Sequence, residues 1–353
     1  MHEKKHMDVV TSTSSLFALT LLAKPTDGSA GDRHHIFMEC VESCVGRYGC
    51  PQKHDESGWI FSECFRCRYS CIWKTVKYFN DILRLSVPQF YGKWPFSAVW
   101  LPLITPIPIQ EFASVIFSLL NLLTTLSMYR TVKHLRSSHR LKIVWTAYSM
   151  IGIVMICSAV FHWADFWLTE YLDYFTACAF IVFALFASIS VTVKSLQNSY
   201  RGRILWSILF ITFLYLYTRH IYSLMRLKGF PGDLRIKRFE KHHILQIHFD
   251  YGYNMKMCIA CSFLTAIIYY IWLAQQWKLR DRWGRRPLTY LGVVITWGLS
   301  SVLDFVPLYW IIDSHALFHL ATVPLPLLMT RFIQLENAYE MQNNWKILNR
   351  SER

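Results

Sequence analysis

Hydrophobic positions in this chain gather into long unbroken runs instead of alternating with polar ones. Seven of them approach the ~20 apolar residues that a bilayer-spanning helix requires: Glu111–Tyr129, Ile143–Trp163, Leu172–Val193, Ile204–Leu224, Tyr253–Trp272, Leu288–Trp310 and Ala316–Phe332. The fourth is interrupted at its far end by Arg219 and His220. The pattern predicts an all-α membrane protein with seven transmembrane helices behind a polar N-terminal region. That region opens with a basic stretch (Lys4, Lys5), a short apolar core from Ser15 to Ala23 and the small residues Gly28, Ser29 and Ala30. A core of about nine residues is too short to span a bilayer and fits a secretory signal peptide; a disordered cytosolic N-terminus is the plainer alternative. The expected organisation is a signal peptide over 1–30, a cysteine-rich luminal domain over 31–103, a seven-helix domain over 104–335 and a cytosolic tail over 336–353.

Composition supports the membrane reading. The chain of 353 residues is 53% hydrophobic and 17% charged, with mean hydropathy +0.24. Its 14 Trp and 19 Tyr suit a protein with much surface at headgroup level, where both rings are favoured. The net charge of +14 raises the question of nucleic acid, but the basic residues concentrate in particular interhelical loops, as topology signals do. Arg130, Lys133, Arg136, Arg140 and Lys142 follow the first run. Lys194, Arg201 and Arg203 follow the third, and Lys278, Arg280, Arg282, Arg285 and Arg286 the fifth. The connection from Ala164 to Tyr171 is acidic, with Asp165 and Glu170. This places the N-terminus in the lumen and the C-terminus in the cytosol, and excludes nucleic acid as a partner. The segment from Met225 to Asp250 breaks the rule, being both luminal and basic. It reads as an ordinary solvated loop or as a contact for the phosphate groups of an anionic lipid.

Six cysteines (Cys40, Cys44, Cys50, Cys64, Cys67 and Cys71) crowd the polar region, and the other four (Cys157, Cys178, Cys258 and Cys261) fall in apolar runs. An even number behind a signal peptide reads as a disulfide framework with fifteen possible pairings. Cys64-Phe65-Arg66-Cys67 is also compatible with half a zinc ribbon or a redox pair in a cytosolic protein.

The chemistry lies in ionisable residues at helix ends. His162 closes the second run, with Ser158 one turn before it, and His315 and His319 open the seventh. The i, i+4 spacing puts each pair on one helix face. Asp173 begins the third run just beyond the acidic connection. Ionisable groups in apolar helices cost about 2.5–3.5 kcal/mol on insertion scales unless partnered or functional, and under the topology above all of these reach the luminal face. Three imidazoles with a fourth position open for water make a catalytic zinc site. Iron is the less expected metal where no carboxylate joins the ligands. In this reading His162, His315 and His319 bind zinc, Asp173 moves the proton and Ser158 donates to the water or the developing oxyanion. Isolated interfacial histidines, a helix-packing serine and a serine nucleophile without its Gly-x-Ser-x-Gly elbow are the alternatives. Either Asp313 or Ser314 can cap the helix that carries the last two histidines.

These positions resemble the signature of the CREST superfamily of seven-helix membrane hydrolases, whose Ser-x-x-x-His, downstream Asp and His-x-x-x-His fall on Ser158, His162, Asp173, His315 and His319. The flanking segments Val87 to Phe96, Phe249 to Asn254 and Leu303 to His315, together with the cysteine cluster, resemble the branch that remodels glycosylphosphatidylinositol (GPI) anchors, from about Gly31 to Phe332. The second cysteine group is one residue shorter than that pattern, and the basic segment around Lys228 to Lys241 is longer. The resemblance implies a zinc-dependent phospholipase that hydrolyses the sn-2 acyl ester of GPI lipid at the luminal face of the endoplasmic reticulum or Golgi. Its partners would be GPI-anchored proteins, their lipid and the surrounding membrane lipids. A ceramidase-like intramembrane amidase and a non-catalytic, metal-stabilised receptor or chaperone are the competing readings.

Overall fold

The computed structural model describes residues 29–101, 106–135, 139–224, 251–299 and 307–351. The expected signal peptide and the basic segment 225–250 therefore lie almost wholly outside the described residues. Everything described is helix, turn or loop, with pairing limited to the isolated bridges Phe90–Lys93, Val99–Ile109 and Leu308–Ile312.

Two antiparallel helices, α1 (His35–Tyr48) and α2 (Ser62–Tyr78), form a cap at the N-terminal side. The sequence builds α1 with recognisable ends: the His34 ring accepts from the Ile36 amide, and Gly49 takes the left-handed conformation (φ 63°) that closes the helix. Cysteines one turn apart on each helix then face one another. The disulfides are Cys40–Cys71, Cys44–Cys67 and Cys50–Cys64, a nested ladder whose first two rungs join helix faces carrying i, i+4 cysteines and whose third ties the loop after α1 to the start of α2. Cys64 and Cys67 thus belong to different bridges, which removes the zinc-ribbon and redox-pair readings. The bridges pack with Phe37, Trp59 and Phe90 into a small core, and so small an apolar core needs covalent support.

The membrane portion follows as α3 (Phe112–His134), α4 (His139–Val154), α5 (Ile156–Trp163), α6 (Trp167–Thr192), α7 (Tyr200–Leu224), α8 (Tyr251–Leu279), α9 (Arg285–Leu299), α10 (Ser314–Thr322) and α11 (Leu325–Ser351). Among the described residues, six helical stretches are long and apolar enough to cross a membrane: Phe112–His134, Lys142–Trp163, Trp167–Thr192, Tyr200–Leu224, Gly252–Leu279 and Ser314–Asn343. They match six of the seven expected runs. The remaining one, Leu288–Trp310, is described as helix through the 15-residue α9, up to Leu299; residues 300–306 lie outside the described residues, and Trp310 lies in a turn. α9 is nevertheless part of the bundle, for Leu288 and Leu291 are fully buried against Trp272, Phe332 and Met329.

Two breaks shape the bundle. At Met155 the backbone leaves helical geometry (ψ 1°) and the second span splits into α4 and α5. Nearby, Gly152 lets α4 approach α3 and α6, since a Cβ there would meet Thr125 Cγ2 at 2.8 Å. At the other break, Pro324 separates α10 from α11, consistent with the missing amide donor of proline. α7 is the peripheral helix: only Gly202, His220 and Leu224 are buried on it. Its long apolar exposed surface suits contact with lipid instead of protein.

Candidate metal centre

At one end of the bundle the chain brings together the start of α3, the end of α5, the start of α6 and the start of α10. Asp313 supplies the cap of α10, its carboxylate accepting from the Ala316 amide at 2.7 Å. One turn of helix then sets His315 and His319 side by side, with their Nε2 atoms 3.1 Å apart. From α5, His162 brings its Nε2 to 3.1 Å from that of His319. The candidate ligand atoms of the three histidines all lie within 4.8 Å of one another. A tetrahedral zinc with Zn–N bonds of about 2.0–2.1 Å places its nitrogens about 3.3 Å apart. The Nε2 set is therefore near the spacing that one ion needs. His162 and His319 are buried while His315 is exposed, so the centre has one accessible side.

Two of the three far nitrogens have polar partners of the kind that orient metal ligands. The Nδ1 of His162 donates to the Glu111 carboxylate at 2.7 Å, and that of His319 is 3.4 Å from the Ser118 hydroxyl. Donation from Nδ1 leaves Nε2 as the free lone pair, the tautomer that can ligate. Backbone bonds reinforce the arrangement: the Glu111 amide donates to the His162 carbonyl at 3.0 Å, and the Asn121 amide group donates to the His319 carbonyl at 2.8 Å. The donor chemistry, the spacing and the fixed tautomer together fit a zinc ion. The other compact ligand group among the described residues, Cys44, Cys67 and Cys71, is committed to disulfides.

Asp173 and Ser158 join this end from α6 and α5. The Asp173 carboxylate feels the Ser158 hydroxyl and the charge of His162. The five residues expected from spacing are thus brought to one end of the bundle. Glu111, Ser118, Asn121 and Lys93 are additions. Glu111 stands at the edge of the first apolar run, and a carboxylate in that place was the available signal. Lys93 pairs with Asp165 and lies 3.7 Å from Glu170. Burial opposes its charge, but the carboxylates, led by Asp165, outweigh that and hold its pKa above the ordinary lysine value.

Comparison with known proteins gives a consistent picture. The sequence matches the Per1-like family over residues 56–229 and 238–337. A mouse protein named GPI-specific phospholipase A2-like PGAP3 is 32% identical, over 94% of this chain and 97% of its own length. Post-GPI attachment to proteins factor 3 of Drosophila melanogaster is 30% identical, over 92% and 95%. Protein PER1 homolog of Schizosaccharomyces pombe is 27% identical, over 92% of both chains. No solved structure matches the chain.

Proposed function

This chain belongs to the Per1-like family, and from that premise we propose that it remodels GPI anchors as a zinc-dependent phospholipase that removes the sn-2 acyl chain of the GPI lipid. The observation that carries this reading is the convergence of three imidazole Nε2 atoms, with Asp173 and Ser158 at the same end of the bundle. His162, His315 and His319 would hold the ion. When bound, zinc supplies a water of lowered pKa and a Lewis acid for the ester carbonyl.

The side chains of the protein do the rest. Asp173 accepts the proton of the attacking water and returns it to the sn-2 oxygen as the acyl–oxygen bond breaks, so that one water is consumed and a fatty acid and a lysolipid leave. Ser158 fixes the orientation of the Asp173 carboxylate. Glu111 keeps His162 in the ligating tautomer. The exposed side of His315 is where the ester comes in, while the buried sides of His162 and His319 exclude bulk water.

The same reading extends to the whole chain. The helix connectivity gathers Arg130 and Lys133, Lys194 and Arg201, and Lys278 and Arg285 at the end of the bundle opposite the histidines. By the positive-inside rule that end is cytosolic. The metal centre and the disulfide cap are then luminal, in the endoplasmic reticulum or Golgi, behind a signal peptide over 1–30. The test is purified protein in vesicles that carry GPI lipid, assayed for free fatty acid and lysolipid with and without zinc. Release of fatty acid from the sn-2 position supports the reading. Cleavage of a ceramide amide in its place would support the amidase, and no hydrolysis with tightly held zinc would support a structural metal.

A further inference from the structure

One turn of the disulfide cap reaches the connection beside the candidate metal centre. Phe90 to Lys93 forms a tight reversal in which Tyr91 and Gly92 both take positive φ (51° and 79°), closed by the Phe90 and Lys93 backbone bonds at 2.8 and 3.0 Å. Two positive φ values in succession are the geometry of a type I′ turn, and a tyrosine pays strain to adopt it. The turn is fastened on its other side to the start of the described chain. The Tyr91 amide donates to Asp32 at 2.8 Å and the Gly92 amide to Ser29 at 2.7 Å, while Phe90 is buried in the disulfide core against Phe37. The result is a rigid arm that carries Lys93 away from the cap.

Lys93 reaches the short connection between α5 and α6. Its ammonium pairs with Asp165 and Glu170 and sits 4.3 Å from the Phe161 ring centroid. A second tether runs beside it, the Trp167 amide donating to the Asp55 carbonyl of the cap at 2.9 Å. The gripped connection is the one between the ligand His162 and the proton acceptor Asp173. Arg68 and His54 of the cap are also felt by Asp165, and Asp55 by Tyr171, but it is Lys93 whose ammonium forms ion pairs with this connection. The side chain of Lys93 is only 31% exposed, and with both carboxylates engaged it is not available to bind a substrate phosphate.

We propose that Lys93 is a positioning residue of the hydrolase: through Asp165 and Glu170 it fixes the α5–α6 turn and hence the placement of Asp173 relative to His162. On this view the cysteine-rich cap is part of the catalytic apparatus, because its disulfides make the arm rigid. The inference rests on the hydrolase reading above. A displacement of a reacting group by about 1 Å is enough to cost roughly 10²-fold in rate. A salt bridge that served only to hold the cap down would lower the amount of folded protein and leave turnover per folded molecule intact.

The test compares wild type, Lys93→Met, Lys93→Arg and the charge swap Lys93→Asp with Asp165→Lys, each measured for bound zinc, kcat and KM on GPI lipid in vesicles. Lys93→Met is expected to keep its zinc, to lose about 10²-fold in kcat and to change KM little, the signature of a lost transition-state arrangement. Lys93→Arg should recover most of the rate, and the swap should be faster than Lys93→Asp alone. Independent of activity, peptides covering 163–172 should exchange amide hydrogen faster in Lys93→Met, with the visible spectrum of the cobalt-substituted centre unchanged. Normal kcat in Lys93→Met, or a fall that only tracks lost zinc or lost folded protein, would overturn the proposal while the hydrolase reading stood. Wild-type protein that releases no acyl chain would overturn both.

Discussion

The two ends of the helical bundle each bury ionisable groups, and they differ in whether those groups are satisfied. At the end opposite the histidines, Arg280, just past the end of α8, makes two bonds to Glu336 on α11, the second at 2.6 Å. Its remaining surface lies between the rings of Trp272 and Tyr339, at 5.4 and 4.3 Å, and it reaches the Gly284 carbonyl as well. The charge of the guanidinium is answered there by the Glu336 carboxylate. At the other end, Glu111 and Ser118 answer one nitrogen of His162 and of His319, while the Nε2 atoms of His162 and His315 each lie 3.1 Å from that of His319. On the proposed reading, a cation is what these nitrogens would share. The first cluster is complete as a structural pair, whereas the second is a compact set of imidazole donors suited to an ion. Buried charge alone therefore does not mark a functional site; an unanswered set of donor atoms does.

The sharpest way to break the comparison is to remove a ligand. His319→Ala should abolish both zinc binding and deacylation, measured together by metal analysis and fatty-acid release, because two imidazoles do not complete the site. Next in size is Asp173→Asn, expected to keep zinc and to lose about 10²–10⁴-fold in turnover as the proton acceptor disappears; near-normal turnover would contradict the role given to this carboxylate. At the satisfied end the effect should fall on stability. Glu336→Gln leaves a buried guanidinium without its counter-charge, which typically costs about 3–5 kcal/mol, so the melting temperature should drop while turnover per folded molecule stays the same. An equal loss of turnover in that variant would erase the distinction between the two ends. Cys67→Ser opens the Cys44–Cys67 bridge, and such a loss typically costs about 2–5 kcal/mol; the thiol it frees should label, and less protein should fold. The smallest effect is none at all: Asn349 in Asn349-Arg350-Ser351 should carry no glycan if seven helices follow a luminal N-terminus. A mass shift sensitive to endoglycosidase and lost in Asn349→Gln would overturn that topology.

What could be read from the chain follows the range of the interactions involved. His315 and His319, or Ser158 and His162, are one helical turn apart, so their shared face is a local property and was legible. The disulfide framework was legible as a count, but its pairing was not. It depends on α1 and α2 running antiparallel, which only the packed cap decides. Glu111 was hidden because its partner His162 is 51 residues away and the carboxylate sits where a span was expected to begin. Lys93 was hidden for the same reason, 72 residues from Asp165. The break at Met155 has no proline to announce it.

The most direct test of a zinc centre at the unsatisfied end is a metal titration of purified wild-type protein. After chelation, zinc is added back while bound metal and sn-2 deacylation of GPI lipid are followed in parallel. The expected result is one zinc per chain, with activity absent in the metal-free protein and rising in proportion to occupancy. Full activity without bound metal, or zinc bound with no deacylation at any occupancy, would contradict it.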